Sequence, residues 1–400
     1  MRDFSLLKFM KDCVIHIGMH KTGTTSIQES LWRRLDDPGF SYVDFDEANG
    51  SRAMAILFSD ELEKFVGFRS LGWSATRIAR YKKRVFALLE ERLAHTPRDV
   101  CPIISAESCW CMNRVEFERI RAFMTDRGYR VRIIVYLRPW KQWNESWFQQ
   151  SLKSEPTSIQ QLAVVDDYPE RIEMLDSIFG REQVQVFKYA PSTFPEGCVV
   201  RHFCGQLGIH FDAGRIRRAN DGLTLPAVQL LYAYWKFGPQ HGLSELTWWA
   251  MAQVVQQLMQ LGGPPFRTHS SMIEAQMPEM MRQRQWLEHR LGVPFEEDIY
   301  VHDDGPCIRE EADLLNFSPD TVAWLAAATR SATVASVDGR PVTAMVCDQM
   351  HQLYQRALWK MYLRRVWRNC MRPLRWVKQQ IGRCFAPRRS TGKVDSATIA

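Results

Sequence analysis

The sequence predicts an α/β fold: a central, mostly parallel sheet with helices on both faces and helical additions towards the C-terminus. Three observations carry this prediction. Short apolar runs recur through the first half of the chain, at 14–18, 40–45, 100–105, 131–137 and 184–187. Long amphipathic patterns at helix spacing lie between them, most clearly over 77–94 and 114–127. Strands that alternate with helices need crossover connections, which make neighbouring strands parallel and cover both faces of the sheet. At 46% hydrophobic residues, with 21 Phe and 14 Trp in 400 residues, the material for a large core is present.

The first run, Val14-Ile15-His16-Ile17, is apolar except for His16, which is expected to be a core histidine rather than a ligand. It leads through Gly18-Met19-His20-Lys21-Thr22-Gly23-Thr24-Thr25 into the helical pattern Ser26 to Trp32. The second run is Phe40-Ser41-Tyr42-Val43-Asp44-Phe45, followed by the acids Asp46 and Glu47. The third ends at Ser105-Ala106-Glu107, and the nearby Cys109 and Cys111 are expected to be packing thiols. The fourth, Val131 to Leu137, is the most apolar and ends in Arg138. A helix follows Pro139 and carries Ser146 about two turns in. The fifth is Val184-Gln185-Val186-Phe187.

Beyond residue 225 the pattern is helical. Pro226 to Phe237 and Leu243 to Leu261 have apolar residues at helix spacing, Gly262-Gly263-Pro264-Pro265 marks a loop, and Ser318-Pro319-Asp320 reads as a capped helix start. The expected organisation is an α/β core over 1–225, a mainly helical region of the same domain over 226–350, and a tail over 351–400. From His351 to Ser390 the tail carries eleven Lys and Arg and no acid, against a net charge of +7 for the whole chain. Trp359, Trp367 and Trp376 are interleaved. Such a tail suits a helix face packed by its Trp residues, an anionic membrane surface or an acidic glycan. Its cations read as spread all round a helical wheel, which counts against the packed face, and the last ten residues are expected to be disordered.

The mild positive charge suits an acidic ligand without calling for nucleic acid, and none is expected as a partner. The ten cysteines show no zinc spacing. No run approaches the ~18 apolar residues of a membrane span, and Met1 to Asp12 does not read as a signal segment. The expectation is a cytoplasmic protein with reduced thiols, with peripheral contact at the inner membrane surface through its basic tail.

The segment 18–25 is strand, glycine loop and helix start, an arrangement that offers backbone N–H groups to an anion. Its two glycines give the phosphate-loop frame G-x-x-x-x-G, but Thr24 stands where the usual Lys belongs, and Lys21 sits inside the loop. A metal–nucleotide enzyme also wants an acid at the end of an apolar strand, and the run 131–137 ends in Arg138. A loop with an internal lysine and two threonines suits a 5′-phosphosulfate, whose leaving phosphate Lys21 can neutralise without a metal. Arg138 can grip a second phosphate bidentately, and Ser146 can add a hydroxyl if its helix folds back over the strand end.

Together these segments identify the chain as resembling the sulfotransferases that use 3′-phosphoadenosine 5′-phosphosulfate (PAPS), in particular bacterial carbohydrate-type members. Lys21 to Thr25 match the family's Lys-x-Gly-Thr-Thr loop, and Arg138 with Ser146 match its 3′-phosphate segment. Trp147-Phe148-Gln149-Gln150 is similar too. Ser105-Ala106-Glu107 and Arg218-Ala219-Asn220-Asp221-Gly222-Leu223-Thr224 are weaker echoes. The resemblance implies a phosphate-loop-like sulfotransferase fold. It implies PAPS held by Lys21, Thr22, Gly23, Thr24, Thr25, Arg138 and Ser146, no required metal, and a hydroxyl acceptor on a sugar, glycolipid or polysaccharide precursor. The Arg-Lys-Gly stretch of members acting on small phenols is absent, and Arg215, Arg217 and Arg218 are candidates for its cation.

The acceptor proton needs a base. Glu107 is the first candidate, because it ends the strand 100–105 on the edge where the loops converge. Glu47 and Asp46 come next, and His20 lies in the loop itself. Two readings compete with sulfuryl transfer: a phosphate-loop kinase for a small molecule, and a non-catalytic membrane- or glycan-binding protein with a degenerate loop.

Overall fold

Five strands, β1 (Lys11–His16), β2 (Phe40–Tyr42), β3 (Cys101–Ser105), β4 (Tyr129–Leu137) and β5 (Val184–Lys188), form one parallel sheet in the order β2-β3-β1-β4-β5. The computed structural model describes residues 10–65, 68, 72–218, 222–241, 244–331 and 341–384, with side chains through residue 364 except at 63. Every strand predicted from apolar runs is present. The second is shorter than 40–45. Val43 still donates its N–H to Ile103, but the Asp44 carboxylate then accepts from Trp32, Arg33 and the backbone N–H of Asp46. That turn-forming carboxylate ends the extended run.

Among the described residues seven α-helices accompany the strands: α1 (Thr24–Leu31), α2 (Ser51–Phe58), α3 (Ala75–His95), α4 (Arg114–Thr125), α5 (Trp140–Leu152), α6 (Tyr168–Phe179) and α7 (Val199–Leu207). Alternation along the strands divides them into two layers. Cys13, Ile15, Ile133, Val135 and Leu137 face the larger core, with residues of α2, α3, α4 and α6. Val14, Ile103, Ile134 and Tyr136 face the other, with Ile27 and Leu31 of α1 and Val200 and Phe203 of α7. Local signals agree with this packing. Ser74 caps α3, and Asn113 and Glu116 form a reciprocal capping box at α4.

The other α-helices among the described residues are α8 (Leu225–Phe237), α9 (Glu245–Leu258), α10 (Met277–Leu291), α11 (Pro319–Thr329) and α12 (Val342–Cys384). Ser318 caps α11, where the Ser-Pro-Asp signal places its start. Residues of α8, α9, α11 and α12 build a separate helical core. α10 does not belong to it: Met280 and Leu287, with Phe295 and Ile299 beyond, join the sheet core. The two cores meet on α5, whose Trp140 and Trp143 sit in the sheet core and whose Phe148 and Leu152 sit in the helical one. The break at 350/351 falls inside α12, which stays packed through Met350, Leu353, Tyr354 and Ala357. The expected disordered end lies outside the described residues. Among those described, no helix is long and apolar enough to cross a membrane.

Candidate active site

The strand order puts the end of β1 between those of β3 and β4, and the chain after β1 leaves in one direction while the chain after β3 returns in the other. Ligands of open α/β sheets bind outside the carboxyl ends of strands at such a switch point. A cleft of 710 Å³ opens there.

The β1 loop is built by internal hydrogen bonds. Its first residues continue the strand: Ile17 and Met19 donate to Ile134 and Tyr136, and Tyr136 donates back to Gly18. The chain then turns. The Thr22 hydroxyl donates to the Met19 carbonyl at 2.6 Å and the Thr24 hydroxyl reaches the same oxygen at 3.3 Å. Both threonines are buried, whereas Thr25 is exposed at the cleft. Two glycines are required here. Gly18 has φ 96°, and a Cβ on it would sit 3.2 Å from Glu107 Cα; Gly23 has φ 76°, and its Cβ would meet Val199 at 2.8 Å. Gly23 ends the loop as the N-cap of α1, with no side chain capping that terminus. The first N–H groups of α1 therefore suit an anion. Lys21 lines the cleft from a left-handed backbone position, φ 66°, and its Nζ lies 3.4 Å from Gln150 Oε1 on α5.

The end of β4 meets this loop directly. Arg138 Nη1 donates to the Lys21 carbonyl at 3.0 Å, and Tyr168 donates to the Arg138 carbonyl. Burial lowers the Arg138 pKa from its ordinary value, with Tyr189, Glu145 and Glu297 opposing and Arg267 adding to the shift. Ser146 is half-buried in the same cleft. The α5 N-terminus is already occupied: Glu297 accepts from the backbone N–H groups of Lys141 and Gln142. Burial pushes that carboxyl up to about 7 against the pull of those two N–H groups.

The acids separate by their partners. Glu107 opens the turn after β3, lines the cleft and accepts from Asn49 at 3.1 Å. Glu47 also lines it, but accepts from Tyr81 and pairs with Arg52 at 3.4 Å. Asp46 is held outside the cleft lining by Arg33 and Arg84. His20 lines the cleft against Trp147, and its ring lies 3.5 Å from the Ser108 hydroxyl. Burial lowers its pKa, which favours the neutral ring. His16 is the core histidine expected: fully buried, bonded to the Ser105 hydroxyl at 2.9 Å and lowered to about 3 by burial. Cys109 packs as expected, but Cys111 is exposed on the cleft, because the short helix 107–111 turns only one of the two inward.

Sequence reasoning missed Glu145 and Arg267. Glu145 is buried and gathers Lys141, the Thr268 N–H and hydroxyl, and Arg267 at 3.6 Å. Its i,i+4 spacing from Lys141 was the available signal. Arg267 follows the 262–265 loop and carries no local signal at all. Arg215, a candidate for a cleft cation, is instead tied to Asp36 and the Arg34 carbonyl. Residues 219–221 of the weaker echo lie outside the described residues. Among the described residues, three cleft-lining arginines, Arg52, Arg138 and Arg267, each have a buried Nε without a hydrogen-bond partner. A buried unmatched donor on a cation is costly, and an anion in the cleft would satisfy it.

No family model matches the chain, and no curated protein matches it. Among solved structures it is similar to a sulfotransferase from Alicyclobacillus acidocaldarius at 12% sequence identity and a TM-score of 0.39, over 71% of this chain and 97% of that one. At that level of likeness no argument passes from one protein to the other.

Proposed function

We propose that the chain is a PAPS-dependent sulfotransferase that moves a sulfuryl group to a hydroxyl of a sugar, glycolipid or polysaccharide precursor. The observation that carries the proposal is the trio of unmatched guanidinium Nε atoms beside a lysine-bearing loop at the switch point. Two phosphate groups on one nucleotide fit this demand better than one. The α1 N-terminus, Gly23, Thr24 and Thr25 hold the 5′-phosphate through backbone N–H groups and the Thr25 hydroxyl, while Thr22 braces the loop from inside. Arg138 and Ser146 hold the 3′-phosphate, with Arg267 as an added cation. In the reaction the S–O bond to the 5′-phosphate breaks as the acceptor oxygen bonds to sulfur. Lys21 stabilises the charge left on the bridging oxygen. Glu107 takes the acceptor proton; Glu47, already engaged by Arg52 and Tyr81, positions Arg52 instead.

A second reading has one specific observation in its favour. β1 has two neighbours, and only β4 ends in an arginine. β3 ends beside the loop in Glu107, where a magnesium–nucleotide enzyme places an acid. The deciding experiment compares thermal stabilisation by adenosine 3′,5′-bisphosphate with that by ATP and magnesium. The expected result is stabilisation by the bisphosphate that does not need magnesium. Stabilisation by ATP–magnesium alone overturns the proposal in favour of phosphoryl transfer.

A further inference from the structure

The C-terminal helix presents two faces that the catalytic reading leaves unused. α12 is 43 residues long, about 65 Å at 1.5 Å per residue. Its first part is anchored: Val346, Met350, Leu353, Tyr354 and Ala357 are buried against the helical core and mark its packed side. From Trp359 the exposed side turns apolar. Trp359 is 61% exposed, and Tyr362 and Leu363 are each 48% exposed. Trp359 and Tyr362 stack on each other at 5.7 Å.

Indexed at about 100° per residue from the packed side, the sequence of the remaining helix continues this division. Every Lys and Arg from Arg356 to Arg383 falls within about 180° of wheel, on the half that contains the packed side. Trp359, Leu363, Val366, Cys370, Val377 and Ile381 fall on the opposite half, with Trp367 and Leu374 at one border, Trp376 at the other, and Met361 and Met371 as exceptions among the cations. Within the helix the cations are therefore confined to about half of the wheel; Arg388 and Arg389, which also belong to the tail, lie outside the described residues. From Gln349 to Val394 the sequence has no acid. Arg356, Lys360 and Arg364 also line, with Arg330, a recess of 420 Å³ that has no acidic residue among the described residues of its lining.

We propose that α12 docks the protein on an anionic lipid bilayer. The helix lies in the plane of the interface, its Trp359–Leu363 stripe in the lipid and its cations towards the headgroups. Charge complementarity selects this occupant: a long acid-free cationic face beside an apolar one, with aromatic residues at the borders, matches a surface of negative headgroups over hydrocarbon. The phase of the helix adds a geometric reason. The packed side and the apolar stripe are opposite, so lipid can take the stripe while the body stays on the water side.

The test is co-sedimentation of the full chain with vesicles of phosphatidylcholine alone, or with about 30% phosphatidylglycerol, at low and high salt. Binding at least about tenfold tighter to the anionic vesicles, weakened by salt, is expected. The double substitution Trp359→Glu with Leu363→Glu should lower that binding about tenfold and leave the melting temperature unchanged, since both side chains are exposed. Lys360→Glu with Arg364→Glu should lower it through charge alone. Equal binding to both vesicles, or no binding to either, overturns the proposal. So does heparin binding that ignores the two apolar substitutions, which would mark a glycan surface. A dimer in solution that Trp359→Glu with Leu363→Glu dissociates would give the stripe to a second copy of the chain, and overturns it equally.

Discussion

The ends of β1 and β4 lie side by side and are built on opposite principles. The β1 loop satisfies itself. Thr22 and Thr24 spend their hydroxyls on Met19, two glycines allow turns that other residues would strain, and a ligand finds backbone N–H groups and Lys21 already placed. The β4 end is left incomplete. Arg138 is drawn into a half-buried position, one nitrogen tied to the loop and Nε without a partner. The first is a frame whose hydrogen bonds are complete without ligand; the second keeps a buried guanidinium donor that an anion in the cleft would satisfy. Substitutions at the first should therefore act on the chemical step or on folding, and at the second on affinity.

The largest expected effect is at Lys21. Lys21→Ala should lower turnover by about 100- to 1000-fold, because charge stabilisation of the leaving group is lost in the transition state. Affinity for adenosine 3′,5′-bisphosphate, measured by calorimetry, should fall by less than about tenfold. An equal loss of both would erase the distinction between the two strand ends. Next comes Arg138→Ala, expected to weaken bisphosphate binding by about 2–4 kcal/mol, with Arg138→Lys recovering only part because a lysine cannot grip bidentately. If adenosine 5′-phosphate, which lacks the 3′ group, loses as much, Arg138 is not a 3′-phosphate residue.

Gly23→Ala tests the frame. The left-handed φ and the 2.8 Å approach to Val199 should cost about 1–3 kcal/mol of stability, read as a shift of the urea midpoint. The smallest effect concerns Glu297. Its folded pKa, near 7, lies above its unfolded value near 4.5, so the folded state holds this proton more tightly. Its contribution to stability is full below pH 4.5 and is lost as pH rises to about 7, a change on the order of 1–2 kcal/mol after discounting for partial exposure. Comparing urea midpoints at pH 5 and pH 8 in Glu297→Gln and the parent chain isolates it: the difference should shrink in the variant.

Much of the fold is legible in local sequence. Apolar runs mark all five strands, and caps such as Ser318 mark helix starts, because strands and helix termini are set by neighbours in the chain. The loop residues and the pair Arg138–Ser146 are legible for the same reason. What escapes is long-range. Arg267 reaches Glu145 from a loop far along the chain, Glu297 caps α5 from 156 residues beyond Lys141, and α10 returns to the sheet core although its sequence reads like that of its helical neighbours. Those three have no local pattern to betray them. Asp44 shortens β2 partly through Trp32 and Arg33, just past the end of α1, and partly through the Asp46 N–H two residues on.

The helix α5 spans both cores, with Trp140 and Trp143 in one and Phe148 and Leu152 in the other, and it carries Ser146 between them. Neither core can melt while the other stays intact without exposing half of that helix. Unfolding of sheet and helical region should thus be one cooperative event. A ligand gripped at the cleft would then slow amide hydrogen exchange in α8 and α9, which are not needed to touch it.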